Sequence, residues 1–341
     1  MMMTLSTETL PTTLPACYDA SLSALVFTNP EKVAPRNQFG DTLAALGHTV
    51  ENLVVLDADL ACSTQTARFQ KHFPERFFNQ GIAEQDLINT AAGLAAVGKI
   101  PVVSTFAMFA SGKAWEPIRN TVCYSDLNVK ICPTHSGLSL GEDGASHQSI
   151  EDIALMRVIP HMTVLIPADA VETDAMVRYA VERHQGPLYL RLVRPNSPVL
   201  FNPESYVFDP TRMPVLRTGS HITLVGTGET VYEALLAAEA LAALGIEAEV
   251  LNARSIKPFD VATLIQSAAK TGKVLTVESH QVIGGLGGVV AETLAEHHPT
   301  RLKRLGTQDR FGQSGTASDL FREYGIDAHS ITETVKAWLG A

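Results

Sequence analysis

The segment VKICPTHSGLSLGEDGASHQ, residues 129–148, holds the strand-then-loop pattern that decides the fold of this chain. Its first four residues form an apolar run that predicts a buried strand. The loop that follows is rich in glycine and carries two histidines and two acids, namely His135, Glu142, Asp143 and His147. Imidazole and carboxylate groups on such a loop bind hydroxyls and move protons near neutral pH. Since α/β sheets keep their sites at the carboxyl ends of strands, the segment predicts an active-site loop.

Apolar runs alternate with helical patterns along the chain, which is typical of parallel α/β sheets. Before residue 200, strands are predicted at 53–57, 101–105, 129–132, 163–167 and 188–193, with helices at 36–47, 84–97, 112–124, 149–158 and 170–184. After a proline-rich break at 194–214, strands are predicted at 221–226, 246–251 and 273–278, with a helix at 229–244 closed by Gly245. The predicted fold is two three-layer α/β domains with mostly parallel sheets. The predicted bounds are an irregular tail at 1–30, domains at 31–194 and 218–341, and a linker at 195–217.

The composition is that of a compact globular protein. Of the 341 residues, 45% are hydrophobic and 18% are charged, and the formal net charge is -10 without any block of Lys and Arg. Four cysteines without CxxC or zinc spacing favour a reduced compartment. Residues 1–30 lack the features of a signal peptide, and no apolar run reaches membrane-spanning length. We therefore expect a soluble cytoplasmic protein without nucleic-acid or membrane partners and without a metal ligand set of its own.

Taken one at a time, most candidate residues have an ordinary structural explanation. Glu84, in the first turn of a predicted helix, complements the helix dipole. Asp57 ends a strand, where an acid at the start of a loop is often solvated. Phe106 and Phe109 are typical core residues. The two histidines of the glycine-rich loop are the exceptions, because they do not lie on an apolar face.

Five segments, in this order, resemble the transketolase family, specifically its carboxyl-terminal half. They are FFNQGIAEQ (77–85), STFAMF (104–109), THSGLSLGEDGASHQ (134–148), ESHQVIGGLGG (278–288) and DRFGQSG (309–315). The resemblance covers about residues 36–340. It implies a pyrimidine-binding domain followed by a transketolase C-terminal domain. The implied reaction is the transfer of a two-carbon ketol unit from a ketose phosphate to an aldose or aldose phosphate.

The resemblance also implies thiamine diphosphate as cofactor and a second subunit. In the family, the half that is absent here binds the diphosphate through a divalent metal, with a GDG motif and a later asparagine. In this chain Gly144 lies in EDG, and no such asparagine follows. The resemblance therefore implies one subunit of a split enzyme, with Mg2+ ligands supplied by an amino-terminal-type partner. A heterotetramer is the expected assembly, with a homodimer of this chain as the alternative.

Cofactor roles carry over to positions that match the family's motifs. Glu84 matches the catalytic acid that hydrogen-bonds the aminopyrimidine ring nitrogen. Phe106 and Phe109 match aromatic residues that stack on the pyrimidine. Family members often place a further aromatic residue where this chain has Gly112, and this departure affects the same site.

Substrate roles implied by the resemblance fall on the loop and on two arginines. His135 and His147 match histidines that contact substrate hydroxyls and assist proton transfer. Asp143 matches the acid that recognises a hydroxyl beside the reacting carbonyl of the donor. Arg194 matches an arginine that grips the sugar phosphate, and Arg36 is a candidate second phosphate contact.

Three alternatives stay open. The beta subunit of a 2-oxo-acid dehydrogenase shares the cofactor and the split organisation, but does not usually carry the GEDG loop. Deoxyxylulose-phosphate synthase has a similar loop, but is normally one long chain. A non-catalytic partner subunit would be expected to lose the acid or the histidines. The donor, a ketose phosphate or pyruvate, separates the first two alternatives from a transketolase, and the sequence does not name the sugar.

Overall fold

The computed structural model describes residues 14–23 and 26–340. Within these residues the chain forms a seven-stranded sheet, a five-stranded sheet and a two-stranded ribbon. The strands are β1 Lys32–Val33, β2 Leu53–Asp57, β3 Phe77–Asn79, β4 Ile100–Ser104, β5 Lys130–Ile131, β6 Thr163–Leu165, β7 Leu188–Leu190, β8 Ser197–Pro198, β9 Val215–Arg217, β10 Ile222–Gly226, β11 Ala248–Asn252, β12 Ser255–Lys257, β13 Lys273–Gln281 and β14 Arg301–Thr307.

Helices cover the sheets. They are α1 Pro35–Gly47, α2 Ala61–Thr64, α3 Ala67–His72, α4 Glu84–Ala96, α5 Trp115–Pro117, α6 Asp152–Arg157, α7 Ala170–Glu182, α8 Thr230–Ala242, α9 Val261–Thr271, α10 Leu286–His297, α11 Ala317–Glu323 and α12 Ala328–Leu339. Short 3-10 turns lie at Pro74–Arg76 and Leu138–Leu140, and π-helical turns at Phe109–Lys113 and Ile118–Cys123.

Both large sheets are mostly parallel, which confirms the predicted α/β class. The first has the order β12-β6-β7-β5-β4-β2-β3, and the second has the order β14-β13-β10-β11-β9. In each sheet one strand runs antiparallel, β12 in the first and β9 in the second. The strands β2 and β10 are buried along their whole length, as expected where helices cover both faces of a sheet.

The predicted strands are found, but two of them end at least two residues earlier than the apolar pattern predicts. The strand predicted at 163–167 stops at Leu165, and the N–H of Ile166 then donates at 2.9 Å to the carbonyl of Arg254, the residue before β12. The strand predicted at 188–193 stops at Leu190, and the N–H of Leu192 donates to Pro133 O at 3.1 Å. In both cases single hydrogen bonds to the chain of a neighbouring strand extend past the end of the regular strand.

Two predicted helices differ from the prediction in a way that matters for the site. The pattern at 112–124 is helical, but most of it consists of the two π-helical turns, with α-helix over Trp115–Pro117. The helix predicted at 149–158 begins at Asp152 instead. Its expected first residues belong to the preceding loop, since Ser149 O accepts the N–H of Gly137 at 2.9 Å.

The two halves of the chain interlock. Strand β12 follows the first strands of the second half, yet it pairs antiparallel with β6, with Ser255 opposite Leu165. The proline-rich segment is held in place too, because the Asp169 carboxylate accepts the N–H groups of Leu200 and Phe201 at 2.7 and 3.0 Å. One hydrophobic cluster contains buried residues of both sheets, including Leu56, Ile131, Val225 and Leu251. The sheets therefore form one packed body.

Part of the predicted tail lies outside the described residues. The described part packs on the second half of the chain, where Tyr18 bridges to Arg217 and Leu22 to Phe201. Leu22 and Val26 are buried. Among the helices that the structure describes, none has both the length and the hydropathy required to cross a bilayer.

Candidate functional site

The site forms where two neighbouring strands, β4 and β5, end at the same edge of the first sheet. Their pairing continues past the strands, because the N–H of Thr134 donates to Thr105 O at 3.0 Å and the N–H of Ala107 donates to Thr134 O at 2.8 Å. Phe106 and Thr134 therefore form a parallel bridge. This register brings the STFAMF segment beside residues 134–148, which we call the catalytic loop.

The catalytic loop has an unusual backbone at the residue that carries its first imidazole. His135 has a φ of +63°, which side chains other than glycine seldom adopt. The loop is held in this shape because both the N–H and the hydroxyl of Ser136 donate to Leu192 O, at 3.2 and 2.7 Å. A strained backbone kept in place by its surroundings is common at functional sites.

The hydrogen bonds of His135 fix the protonation of its ring. Its Nε2 lies 3.4 Å from Arg36 Nη1, and a guanidinium can only donate, so Nε2 accepts. The Nδ1–H then donates to Thr134 Oγ1 at 2.7 Å. Burial, and after it the charges of Arg36 and Arg194, lowers the pKa of His135 to about 3. His135 is thus a neutral imidazole with an acceptor nitrogen on its Arg36 side.

Three aromatic rings cluster beside this imidazole. The rings of Phe106 and His135 stack with centroids 3.9 Å apart, and Phe106 and Phe109 are nearly parallel at 6.1 Å. His147 meets Phe109 edge-on at 5.5 Å, and its Nδ1 lies 2.9 Å from Ser146 Oγ. The cluster places both predicted histidines and both predicted phenylalanines in one wall.

Glu84 is buried rather than solvated at the start of α4, with 2% of its surface exposed. Its Oε2 forms an ion pair with Lys113 Nζ, yet that oxygen accepts no hydrogen bond of good geometry within the described part of the chain. Lys113 ends the π-helical turn that begins at Phe109. A buried carboxylate oxygen with an unused lone pair is a feature that calls for a ligand donor.

Two arginines line an open pocket of about 350 Å³ next to His135. Arg36 Nη1 donates to Ser63 O at 2.9 Å, while its buried Nε has no partner among the described residues. Arg194 Nη1 donates to Leu140 O at 2.9 Å and lies 3.3 Å from Glu142 Oε2. Burial, and then the charge of Arg194, lowers the pKa of Arg36. Two guanidinium groups that repel each other in this way favour an anion between them.

Asp143 lies beside Arg194, one of the residues that line this pocket. Its Oδ1 is 3.9 Å from Arg194 Nη1, and 41% of its side chain is exposed. The predicted substrate residues thus lie in contact in two groups. Arg36 contacts His135, which reaches His147 through the aromatic wall, and Arg194 lies near Asp143. Both arginines line the same pocket. The roles of these residues stay predictions.

Sequence reasoning missed three features of the site. The motifs assign no separate role to Lys113 or Glu142. Lys113 follows Gly112 in the chain, and Glu142 precedes Asp143. Asp57 was expected to be solvated and is fully buried. Its carboxylate accepts from the N–H of Leu60 at 2.6 Å and from two threonine hydroxyls, Thr64 and Thr66, at 2.7 and 2.9 Å. These bonds stabilise the turn whose Ser63 carbonyl holds Arg36.

No group of three or more His, Cys, Asp or Glu side chains lies close enough to hold a metal ion within residues 14–23 and 26–340. The four cysteines are free, and Cys123 and Cys132 are buried.

Comparison with known families divides the chain into two matched regions. Residues 31–199 match the family model described as "Transketolase, pyrimidine binding domain". Residues 212–331 match the one described as "Transketolase, C-terminal domain".

Individual relatives of similar length match nearly the whole chain. A Methanocaldococcus jannaschii protein named "Putative transketolase C-terminal section" is 49% identical over 304 residues, covering 88% of this chain and 94% of its own. A "6-deoxy-6-sulfo-D-fructose transketolase subunit SqwH" from Clostridium sp. is 40% identical, covering 87% of this chain and 91% of its own. The solved structure called "Split gene transketolase, inactive beta4 tetramer" superposes with a TM-score of 0.83 at 50% identity, covering 89% of this chain and 98% of that one.

Proposed function

Because this chain belongs to the transketolase family and carries its pyrimidine-binding and C-terminal domains, we propose that it is the C-terminal subunit of a split transketolase. The proposed reaction moves a two-carbon ketol unit from a ketose phosphate to an aldose or aldose phosphate. The observation that carries the proposal is the meeting of the catalytic loop, the aromatic wall and the two arginines in one pocket edge.

Family membership implies dependence on thiamine diphosphate, and the residues present fit this cofactor. The buried Oε2 of Glu84 has a free lone pair for a ring N–H, and Phe106 and Phe109 offer flat apolar faces. When bound, the cofactor supplies the carbanion chemistry of ketol transfer. Glu84 would hold the proton on the pyrimidine nitrogen, since a buried carboxylate strongly favours a positive partner in a dry site.

The histidines of this chain divide the hydrogen-bonding work around the substrate. His135 stays neutral and would not act as an acid, and its Nε2 would accept from a substrate hydroxyl in place of the Arg36 N–H that it accepts from here. His147 is half-buried, and its Nδ1 is engaged by Ser146, which leaves Nε2 for the substrate. A positioned imidazole of this kind typically contributes about a hundredfold to ten-thousandfold to the rate.

The acid and the arginines would recognise the rest of the sugar. The Asp143 carboxylate would accept a hydrogen bond from a hydroxyl of the ketose substrate. A substrate without that hydroxyl would leave the carboxylate unpaired. Arg36 and Arg194 would bind the terminal anion with their planar N–H groups. The Clostridium relative is named for a sulfonated sugar, and therefore a sulfonate is the chief alternative to a phosphate at this end.

A partner subunit completes the proposed enzyme. We propose that an amino-terminal-type subunit supplies the Mg2+ ligands and the diphosphate contacts, in a heterotetramer. Support comes from a relative that is named a transketolase C-terminal section and from a related structure titled an inactive beta4 tetramer of a split-gene transketolase. Ile82 is 77% exposed and Phe78 is 37% exposed, and both lie in the segment that leads into buried Glu84, which suits a surface covered by another chain. Four free cysteines suit a reduced, cytoplasmic setting.

The test is ketol transfer from xylulose 5-phosphate to ribose 5-phosphate with thiamine diphosphate and Mg2+. The assay is run on this chain alone and after co-expression with the amino-terminal-type subunit. We expect activity in the co-expressed sample alone, and at least a hundredfold loss in Glu84→Gln. Activity of the isolated chain would overturn the split-site proposal. Turnover of pyruvate without ketol transfer would instead assign the protein to one of the two rival enzyme families.

A further inference from the structure

The segment DRFGQSG, residues 309–315, has no part in the function proposed above, yet it lies directly against the catalytic loop. We call it the covering loop. It comes from the second half of the chain, between β14 and α11. Gln148, which follows His147 in the chain, is the side chain that connects the two loops.

Gln148 is 2% exposed and donates on both sides of the junction. Its Nε2 lies 3.0 Å from Gln313 O of the covering loop and 3.2 Å from Leu138 O of the catalytic loop. Its Oε1 is buried without a hydrogen-bond partner in the part of the chain that the structure describes. The amide group therefore acts as a bridge between two backbones that have no other side-chain link of this kind among the described hydrogen bonds.

Glycines on both loops allow this close approach. A Cβ atom on Gly312 would collide with Gln148 Oε1, so the covering loop can reach the amide only as glycine. On the other side, a Cβ atom on Gly144 would lie 2.6 Å from Ser314 Oγ, and Gly144 has a φ of +77°. The contact thus depends on missing side chains at the interface as well as on hydrogen bonds.

The covering loop is itself anchored to the second half of the chain. Tyr324 OH donates to Phe311 O at 2.8 Å, and the Arg310 guanidinium lies over the Tyr324 ring at 4.3 Å. The N–H of Asp309 donates to Gln281 Oε1 at 3.0 Å. These bonds make the covering loop a fixed surface rather than a loose cover.

We infer that the covering loop positions Asp143 and His147 through Gln148, so that the C-terminal domain shapes the substrate side of the site. Across residues 141–148 the catalytic loop has no regular ladder but only local turns, such as the one closed by the N–H of His147 and Gly144 O at 3.0 Å, so its position depends on the surface against it. Gln148 is a positioning residue in this account, since it contacts neither reacting group. The inference rests on the proposed function only for the roles of Asp143 and His147.

The experiment compares Gln148→Met with Gly312→Ala, using Gly93→Ala as the matched control. Methionine keeps the size of the side chain but cannot donate. Alanine at Gly312 keeps Gln148 but displaces its amide. Gly93 lies on α4, and a Cβ atom there meets nothing within 4 Å. Amide hydrogen exchange is measured on each chain, because it reports loop order without requiring any activity.

We expect exchange in peptides covering 137–148 to become at least about tenfold faster in both test variants, with β10 unchanged and the control like wild type. In the assembled enzyme, the KM for the donor should rise about tenfold while the affinity for thiamine diphosphate stays within about twofold. If one variant unfolds, the other decides.

Unchanged exchange in 137–148 overturns the inference. Faster exchange with unaltered KM and kcat also overturns it, because the bridge would then be packing alone. If wild type shows no ketol transfer, the proposed function fails, whereas the exchange result still decides whether the covering loop holds the catalytic loop.

Discussion

Lys113 Nζ forms an ion pair with Oε2 of Glu84, although the lysine is half-exposed and the carboxylate is buried. The pair exists because the π-helical turn at Phe109–Lys113 adds a residue per turn and brings the ammonium group back over the start of α4. This lysine lies beside Gly112, where the family often has an aromatic residue. A cation thus accompanies the missing ring next to the proposed catalytic acid.

Lys113→Met should lower the free energy of unfolding of the isolated chain by about 2 kcal/mol. Removal of one partner leaves the other charge buried and uncompensated, and the exposure of the lysine reduces the full cost of such a loss. Adding Glu84→Gln should restore most of the loss. Denaturant titration of the four proteins of this double-mutant cycle measures the coupling. Lys336→Met, which breaks the exposed pair with Glu333, is the control and should leave the stability nearly unchanged.

Because of His135, the protein should become less stable as the pH falls below about 6.5, the ordinary pKa of a histidine. The unfolded chain takes up a proton on His135 near pH 6.5, whereas the folded chain resists until about 3. Stability from this residue is therefore complete above the unfolded pKa and falls with pH by up to about 1.4 kcal/mol per unit. Between pH 7.5 and 5, the free energy of unfolding of His135→Asn should fall by about 2 kcal/mol less than that of the wild type.

Urea titrations across this pH range measure the difference. His297→Asn serves as the control, because His297 is half-exposed at the end of α10. Equal pH slopes for wild type and His135→Asn would contradict the buried neutral imidazole.

Glu142→Gln should strengthen binding of a doubly charged phosphate donor. The Glu142 carboxylate is 71% exposed and lies near Arg194, where it partly offsets the positive charge of the pocket. Its neutralisation should lower the KM for a phosphorylated donor by about threefold, leave kcat unchanged and affect a sulfonated donor less. Steady-state assays at low and high salt test this, because the gain should shrink with screening. A gain of the same size in Glu333→Gln, on α12, would show a general charge effect instead.

Ile82→Asp should prevent assembly with the amino-terminal-type subunit without unfolding this chain. The side chain is 77% exposed beside Glu84, so a charge there costs little in the free chain and much in an apolar interface. We expect at least about a hundredfold weaker association by analytical ultracentrifugation. Val97→Asp is the matched control, because Val97 is 74% exposed but lies at the other end of α4. Normal assembly of Ile82→Asp would remove this surface from the proposed interface.

The α/β class could be predicted from the sequence because strands such as β2 and β10, which are buried along their whole length, are mostly apolar runs. The three-residue strand β12 could not, since it is too short to show a period and its partner lies far away in the chain. The burial of Asp57 could not be predicted for a related reason. The hydroxyls of Thr64 and Thr66 that donate to it belong to a turn, and hydrophobic periodicity does not predict the shape of a turn.

The site divides in the same way. The catalytic loop, Phe106 and Phe109 could be singled out from local motifs, and the structure brings them into one wall. The contact of Lys113 with Glu84 depends on a π-helical turn, and the bridge made by Gln148 depends on a loop from the other half of the chain. Contacts of this kind are set by tertiary packing rather than by spacing in the sequence.

Strand β12 has a consequence for how the protein is made. The first sheet receives this strand from residues 255–257, well after its own β7 has ended. During synthesis, the edge of β6 that pairs with β12 therefore stays unpaired until Lys257 has left the ribosome. Unpaired strand edges can pair with other chains and cause aggregation. The first sheet is therefore complete only after part of the second half has been synthesised. A nascent chain that stalls in the proline-rich segment exposes the unpaired edge of β6 to other chains.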